Sequence, residues 1–425
     1  MGALLSWKTH RLLLLALIGV CLMVRSALLN AAGATERALD RAKFGLKWRY
    51  DLWQHLNIRP YRGFGRRGGP LHLRGRVLDD RRSAKPDPEQ STWRNAVNTL
   101  RRVESDELPG ARVRLTLEDG TQTQTATTDE DGFFSFEFSP EEAFPRNRVW
   151  HDVRLELEAP TPDDPERAAD TGHVLVPRAD AEHAVVSDLD DTVIRTGATS
   201  KLQMARIVLL NNASTRVPFP GVSALYRTLQ EGSDVEGHNP IFYVSSSPWN
   251  LYEMFQGFFK AHDLPVGPIF LKDYGITTDR FFKTGHAEHK LDRIQRLIET
   301  YPELRFILIG DSGQEDPEIY RRLVGEHGPE RIRAVFIRDV TSPERDTEVH
   351  AIARQVERMG VPMTLAKDTG EAAARAAELG LITEDAADTV RDAMRREERE
   401  KDAPSGLHER LLDPPDGEAR SVFSR

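Results

Sequence analysis

The chain has 425 residues, 39% hydrophobic and 29% charged, which is room for two domains with sizeable cores plus some extra polar sequence. Its formal net charge of -9 argues against a dedicated nucleic-acid binder. The single cysteine, Cys21, lies in an N-terminal apolar run, which excludes a disulfide framework and leaves the folded part without a thiolate metal site or nucleophile.

Leu12 to Val24 is an apolar run after Lys8 and Arg11, short for a membrane span of about 20 residues. Residues 1–34 are therefore read as a hydrophobic signal or membrane anchor. Ala32-Gly33-Ala34 fits a signal cleavage site. Arg25, Arg37, Arg41, Lys43, Lys47 and Arg49 fit an uncleaved anchor that keeps the C-terminal bulk in the cytoplasm, and this reading is favoured over export. Residues 35–69 form a basic amphipathic segment. Leu39, Ala42, Leu46, Tyr50, Trp53 and Leu56 recur at helical spacing from Glu36 to Ile58, as on a membrane-surface helix or one packed on the protein itself. From Arg41 to Leu78 there are ten Lys or Arg against one acid, Asp51, a balance suited to an anionic membrane surface.

Over residues 70–178 the pattern turns to period two, in Leu71 to Val77, Ala111 to Leu117, Thr121 to Thr128 and Phe133 to Phe138, with Asp119-Gly120 and Asp131-Gly132 as turn signals. This predicts a small β-sandwich. The stretch Thr127 to Phe134 resembles the transthyretin-like or carboxypeptidase-regulatory type of sandwich, which implies no chemistry of its own. Pro160 to Asp170, rich in Pro, Asp and Glu, reads as a loop or linker.

Residues 179–345 alternate strand and helix, with apolar runs at Ala184 to Val186, Ile241 to Val244, Ile269 to Leu271, Phe306 to Ile309 and Ala334 to Ile337. The fold class is α/β, a doubly wound parallel sheet preceded by the sandwich and an N-terminal membrane-associated helix. Two helical stretches follow over 346–394, then a charged tail, 395–425, expected to be disordered.

Chemistry gathers at the strand ends. Asp188, Asp190 and Asp191 close the first strand, and three acids in four positions beside a buried strand call for a compensating divalent cation. Ser245 ends the second strand, His289-Lys290 opens a helix, and Gly310-Asp311-Ser312-Gly313-Gln314-Glu315-Asp316 ends a third. Each alone has an ordinary reading as a turn, a surface charge or a helix cap. Together they supply what phosphoryl transfer through an aspartyl intermediate needs: a nucleophilic carboxylate, a second carboxylate for acid-base work, a hydroxyl and an ammonium for the phosphoryl oxygens, and further acids for magnesium.

These motifs resemble those of the haloacid dehalogenase superfamily. More narrowly, Asp188-Leu189-Asp190-Asp191-Thr192, Val244 to Leu251, His289-Lys290 and Ile309 to Tyr320 are similar to the actin-patch-associated family of magnesium-dependent phosphatidate phosphatases, related to the lipins. The resemblance covers roughly His183 to Val340. It implies hydrolysis of phosphatidate to diacylglycerol and phosphate, with Asp188 as nucleophile, Asp190 as acid and base, Thr192 fixing the loop, and Ser245 and Lys290 holding the phosphoryl group. It implies Mg2+ held by Asp188, the Asp190 backbone carbonyl, Asp311 and Asp316. The stretch Arg195 to Pro220, with Leu202, Met204, Ile207, Val208, Leu209 and Leu210, reads as a cover over the site or equally as the core of a helix. A cytoskeletal role is not expected, since no Pro-rich recruiting segment is evident. The expected partner is a phospholipid substrate at an anionic membrane surface, with no nucleic acid and no protein partner inferable. Two other readings stand beside this one: a phosphatase of the same superfamily acting on a soluble phosphomonoester, and a membrane-tethered binding protein with a vestigial phosphatase domain.

Overall fold

The computed structural model describes residues 56–79, 106–141, 144–145, 148–161, 168–194, 218–233, 238–272 and 286–402. The apolar run at 12–24, the basic stretch up to Asp51 and the tail beyond 402 lie outside them. Among the described residues no helix is long and apolar enough to cross a membrane.

Nine strands form the first sheet: β1 (Leu56–Pro60), β2 (Gly63–Gly65), β3 (Leu71–Asp79), β4 (Asp106–Glu107), β5 (Arg112–Leu117), β6 (Thr123–Thr127), β7 (Phe133–Phe138), β8 (Trp150–Ala159) and β9 (Ala169–Leu175). Pairing is antiparallel except between β2 and β9. The period-two pattern has its expected effect, since Leu71, Leu73, Val113, Leu115, Leu117, Phe134, Phe136 and Phe138 all point into one apolar cluster shared with Val153, Leu155 and Leu157 of β8. The Asp129 to Phe133 turn also forms as its residues dictate. Asp129 Oδ1 accepts from the backbone N–H of Asp131 and of Phe133, and Gly132 takes a positive φ of 74°.

Two expectations are corrected here. The helical pattern drawn through Ile58 ends earlier, because Leu56–Pro60 is a strand paired antiparallel with β3, its Leu56 and Ile58 facing the core at strand spacing. Pro160 to Asp170 is not a connection between domains. It joins β8 to β9 within one sheet, where the Leu157 N–H donates to the Ala168 carbonyl.

The second sheet is wholly parallel: β10 (His183–Asp188), β11 (Ile241–Pro248), β12 (Ile269–Lys272), β13 (Arg305–Asp311), β14 (Ile332–Arg338) and β15 (Met363–Ala366), in spatial order β12-β11-β10-β13-β14-β15. Its central strands are apolar on both faces, as a sheet covered on both sides requires. Val185, Ile241, Tyr243, Ile307, Ile309 and Phe336 pack against α1 (Val222–Glu231), α2 (Tyr252–Ala261), α6 (Thr369–Glu378) and α7 (Glu384–Asp402). Ala184, Val186, Phe242, Val244, Phe306 and Leu308 pack against α3 (His286–Thr300), α4 (Asp316–Arg331) and α5 (Pro343–Arg358). The fold is thus mixed α/β with a parallel sheet. The C-terminal region departs from two helices and a tail: β15 adds a sixth strand after α5, and α7 runs on to Asp402. The stretch 195–217 lies outside the described residues, but its ends meet, since Ile194 and Pro218 form a bridge and the Phe219 N–H donates to the Val193 carbonyl.

At the base of β10, His183 is fully buried and its Nε2 donates to the Leu229 carbonyl at 2.9 Å. Burial lowers its pKa from 6.5 to about 4. The unfolded chain therefore takes up this proton before the native state does. The stability it confers is complete above 6.5 and is lost as pH falls toward 4, by up to about 3 kcal/mol. Urea unfolding of the wild type and of His183→Gln at neutral pH and at a pH between these values tests this. The stability difference between them should shift in favour of the variant at the lower pH, and a difference that does not change with pH refutes the assignment.

Candidate active site

The sheet order changes direction at β10, and the crevice outside the carboxyl ends of β10 and β13 is where such a topology exposes its ligands. Asp188 is the last residue of β10 and Asp311 the last of β13. After β10 the chain turns sharply, with Asp191 in the left-handed region at φ 56° and its N–H donating to the Ile194 carbonyl at 2.9 Å. The turn holds Asp190 beside Asp188, both buried.

Lys290, on α3, comes to the same point from the other side. Its Nζ lies 2.8 Å from Asp188 Oδ1 and also pairs with Asp316 Oδ1, and all three side chains are buried. Asp316 Oδ2 accepts from the Asp311 N–H at 3.2 Å. Asp316 thus ties the ammonium to the start of the β13 loop. This close approach needs Gly310: a Cβ there would stand 2.7 Å from the Asp316 Cβ. The loop itself is wound around Asp311, whose Oδ1 accepts from the N–H groups of Gly313 (2.7 Å) and Gln314 (2.9 Å). Gln314 Nε2 reaches both Asp311 Oδ2 (3.2 Å) and the Asp190 carbonyl (3.3 Å).

On the opposite flank, Ser245 Oγ and Ser247 Oγ both donate to Asp190 Oδ2, at 2.8 and 3.2 Å. Ser187 Oγ, beneath the site, donates to the Asp188 carbonyl at 2.6 Å and pairs with the Tyr226 hydroxyl at 2.7 Å. Thr192 is buried, and its Oγ1 has no hydrogen-bond partner among the described residues. Its carbonyl accepts from Arg338 Nε.

The electrostatics follow from four carboxylates facing one ammonium. Burial pushes the Asp188 pKa well above the usual range, and Asp316, Asp311 and Asp190 push it further against the pull of Lys290. Burial and then Asp316 raise Asp311 to about 7. Burial works against the Lys290 charge, yet Asp188 and Asp316 hold it firmly protonated. One oxygen of each of Asp188, Asp311 and Asp316 falls within 4.8 Å of the others, and Asp188 Oδ2 is buried with no hydrogen-bond partner among the described residues. Uncompensated acid around an unpartnered buried oxygen fits a divalent cation with oxygen ligands.

Of the seven site residues expected from sequence, six meet here through direct contacts: Asp188, Asp190, Ser245, Lys290, Asp311 and Asp316. Five participants had no assigned role in the sequence reading. Ser187, Ser247, Gln314 and Tyr226 are described above. Arg345 of α5 pins the β13 loop by donating to the carbonyls of Ser312 and Gln314, both at 3.1 Å, while Glu318 holds its guanidinium at 2.8 and 2.9 Å. Ser247 and Gln314 lay inside recognised motifs and could have been read from them. No local pattern marked Arg345 or Tyr226.

Fold and site together define a class: an α/β domain with a buried carboxylate–ammonium centre at the reversal point of a parallel sheet. The family is narrower. Residues 183–339 match the family model described as "Phosphatidate phosphatase APP1, catalytic domain". The chain is 33% identical to phosphatidate phosphatase APP1 of Saccharomyces cerevisiae over 192 residues, 44% of this chain and 32% of that protein. It is 29% identical to an uncharacterized protein of Schizosaccharomyces pombe over 161 residues, 37% of this chain and 25% of that one. The matches thus span about a third or less of these relatives' lengths. A crystal structure of a protein of unknown function from Porphyromonas gingivalis W83 overlaps 32% of this chain and 60% of that one at 8% identity, with a TM-score of 0.16.

The contact between Gly310 and Asp316 gives a direct test of the loop. Gly310→Ala should displace Asp316 from Lys290, cost roughly 1–3 kcal/mol of stability and lower activity. A variant as stable as the wild type in thermal unfolding would show that the loop does not depend on this close approach.

Proposed function

We propose that the chain is a magnesium-dependent phosphatidate phosphatase that works through an aspartyl phosphate. One observation carries the reading: Asp188, Lys290, Asp190, Ser245 and Asp311 converge at the carboxyl edge of the parallel sheet, within the segment that matches the catalytic-domain family model. We read that segment as a haloacid-dehalogenase-like domain, residues 179–345, and residues 70–178 as a β-sandwich. The strands β1 and β2 go with the sandwich, and β15 to α7 go with the parallel-sheet domain, which leaves residues 1–55 as the membrane-associated N-terminal segment and 403–425 as a tail.

Asp188, whose Oδ1 is held by Lys290, is the attacking carboxylate. It forms a bond to phosphorus as the bond from phosphorus to the glycerol oxygen breaks, and Asp190 gives its proton to that departing oxygen. Asp190 then takes a proton from water, the hydroxide attacks phosphorus, and the Asp188 carboxylate leaves as phosphate is released. Ser245 and Lys290 hold the phosphoryl oxygens, and Thr192 lies in the loop that carries Asp190. Asp188, the Asp190 carbonyl and Asp311 would hold Mg2+, which when bound neutralises the crowded acids and phosphoryl oxygens. Both Asp316 oxygens are engaged by Lys290 and the Asp311 N–H, so its part in the metal site goes with orienting Lys290.

Asp188→Asn should abolish phosphate release from short-chain phosphatidate, and EDTA should do the same to the wild type. Asp190→Asn should retain slow formation of the aspartyl phosphate while turnover falls by about 10²–10⁴-fold. Activity surviving in Asp188→Asn or in EDTA would overturn the mechanism. Equal turnover of water-soluble phosphomonoesters and micellar phosphatidate would replace the lipid substrate by a soluble one.

The substrate places the enzyme at an anionic membrane surface, with the N-terminal segment as anchor and the catalytic domain on the cytoplasmic side. Deleting residues 1–55, short of β1, should leave turnover of soluble short-chain phosphatidate nearly unchanged and reduce the rate on anionic vesicles. The loss should be salt-sensitive, since each Lys or Arg near such a surface contributes about 1 kcal/mol, screened over roughly 8 Å at physiological ionic strength. Equal rates of both proteins on vesicles at low and high salt would remove the anchor from the function.

A further inference from the structure

The loop that carries Ser245 is held from outside its own domain. Pairing of β11 with β10 reaches Val244, and its register with β12 is broken between Val244 and Pro248, so Ser245 to Ser247 lack continuous ladder support. On one side they are tied to Asp190. On the other the chain enters a single 3₁₀ turn, Trp249–Leu251, and the antiparallel domain grips that turn.

Tyr61, in the bend after β1, stacks on Trp249 with ring centroids 4.3 Å apart and planes at 23°, and packs at 4.5 Å against Tyr252. Phe133 meets Trp249 edge-on at 6.2 Å. Arg74 lies over both rings, 4.1 Å from the centre of Phe133 and 5.1 Å from that of Trp249. Arg76, buried, donates through Nη1 to Asn250 Oδ1 at 3.0 Å and through Nε to the Asp131 carbonyl at 2.8 Å, and it pairs with Glu107. The Arg62 N–H donates to the Tyr252 hydroxyl at 2.9 Å. The four rings, Tyr61, Phe133, Trp249 and Tyr252, are all buried. The clamp thus constrains both the position and the rotation of the turn.

We infer that the antiparallel domain is a positioning element of the catalytic site: Tyr61 and Arg76 fix Trp249 and Asn250, and through them the orientation of Ser245 and Ser247 toward the phosphoryl group. The inference rests on the phosphatase reading of Ser245. It assigns Tyr61, Arg76, Trp249 and Asn250 no contact with substrate. Their effect is on how well the Ser245 to Ser247 loop, just ahead of Trp249 and Asn250 in the chain, is aimed, and small misplacements of such groups are expensive in rate.

The test uses the full-length protein, soluble short-chain phosphatidate, inorganic phosphate as competing probe and thermal unfolding. Asn250 is exposed, so Asn250→Ala removes the Arg76 acceptor without opening the core. Asn250→Ala and Tyr61→Ala should each lower kcat by roughly 10- to 100-fold and weaken inhibition by inorganic phosphate. The unfolding midpoint of Asn250→Ala should stay at the wild-type value. Tyr61→Phe, which keeps the stacked ring, should retain wild-type kinetics. If Tyr61→Ala does not fold, Asn250→Ala alone decides. Wild-type kcat and phosphate inhibition in Asn250→Ala would overturn the inference while leaving the phosphatase reading intact. A wild-type protein that neither releases phosphate nor is inhibited by it would overturn both.

Discussion

An ammonium ion buried among carboxylates holds its place only while every partner stays within reach, and Lys290 is in that position between Asp188 and Asp316. Removing one member of such a group strands a buried charge, at a cost of about 3–5 kcal/mol. Much of the surrounding structure keeps the group assembled. The missing side chain at Gly310 lets Asp316 close on the loop, Arg345 holds the carbonyls of Ser312 and Gln314, and Ser187 anchors the Asp188 carbonyl from below. One ammonium offsets one charge, so the four carboxylates Asp188, Asp190, Asp311 and Asp316 leave an excess of acid at the site. That excess suits a bound cation with oxygen ligands.

The topology explains why these groups meet at all. Asp188 and Asp311 end neighbouring strands, and the parallel register of β10 with β13 brings both ends to one edge. The first turn of α4 supplies Asp316 five residues on, and α3 supplies Lys290 from the face that packs under β11. The antiparallel domain closes on the same edge through Tyr61 and Arg76. Contacts from the antiparallel sheet therefore reach the same edge, although the carboxylates and the ammonium all come from the parallel-sheet domain.

The legible part of the molecule was that written in short spans. Asp188 to Thr192 and Gly310 to Asp316 carry their meaning within a few residues, and the alternation of Leu71 to Val77 or Phe133 to Phe138 is set by one buried face. The three-dimensional clamp was not legible, because Tyr61 and Trp249 lie 188 positions apart in sequence and Arg76 pairs with Asn250 across a separation of 174. Arg345 likewise answers unpaired loop carbonyls some thirty residues away, a need that shows only after folding. Leu56 and Ile58 were drawn into a helical reading because a two-residue step can sit within a 3.6-residue pattern. Pro60, which lacks the N–H a helix interior needs, was the signal against it. Met363–Ala366 was too short to stand out as a strand, and its neighbour β14 defines it.

The bridge between Ile194 and Pro218 gives the chain a neck between β10 and α1. Because both ends of residues 195–217 are fixed side by side by the described residues, the number of residues strung between them is decoupled from the sheet. Doubling such a length costs only about 0.6 kcal/mol in closure entropy. Evolution can therefore lengthen, shorten or replace this excursion next to Asp190 without disturbing a strand. What changes between the two bridged residues need not be transmitted to the strand pairing on either side of them.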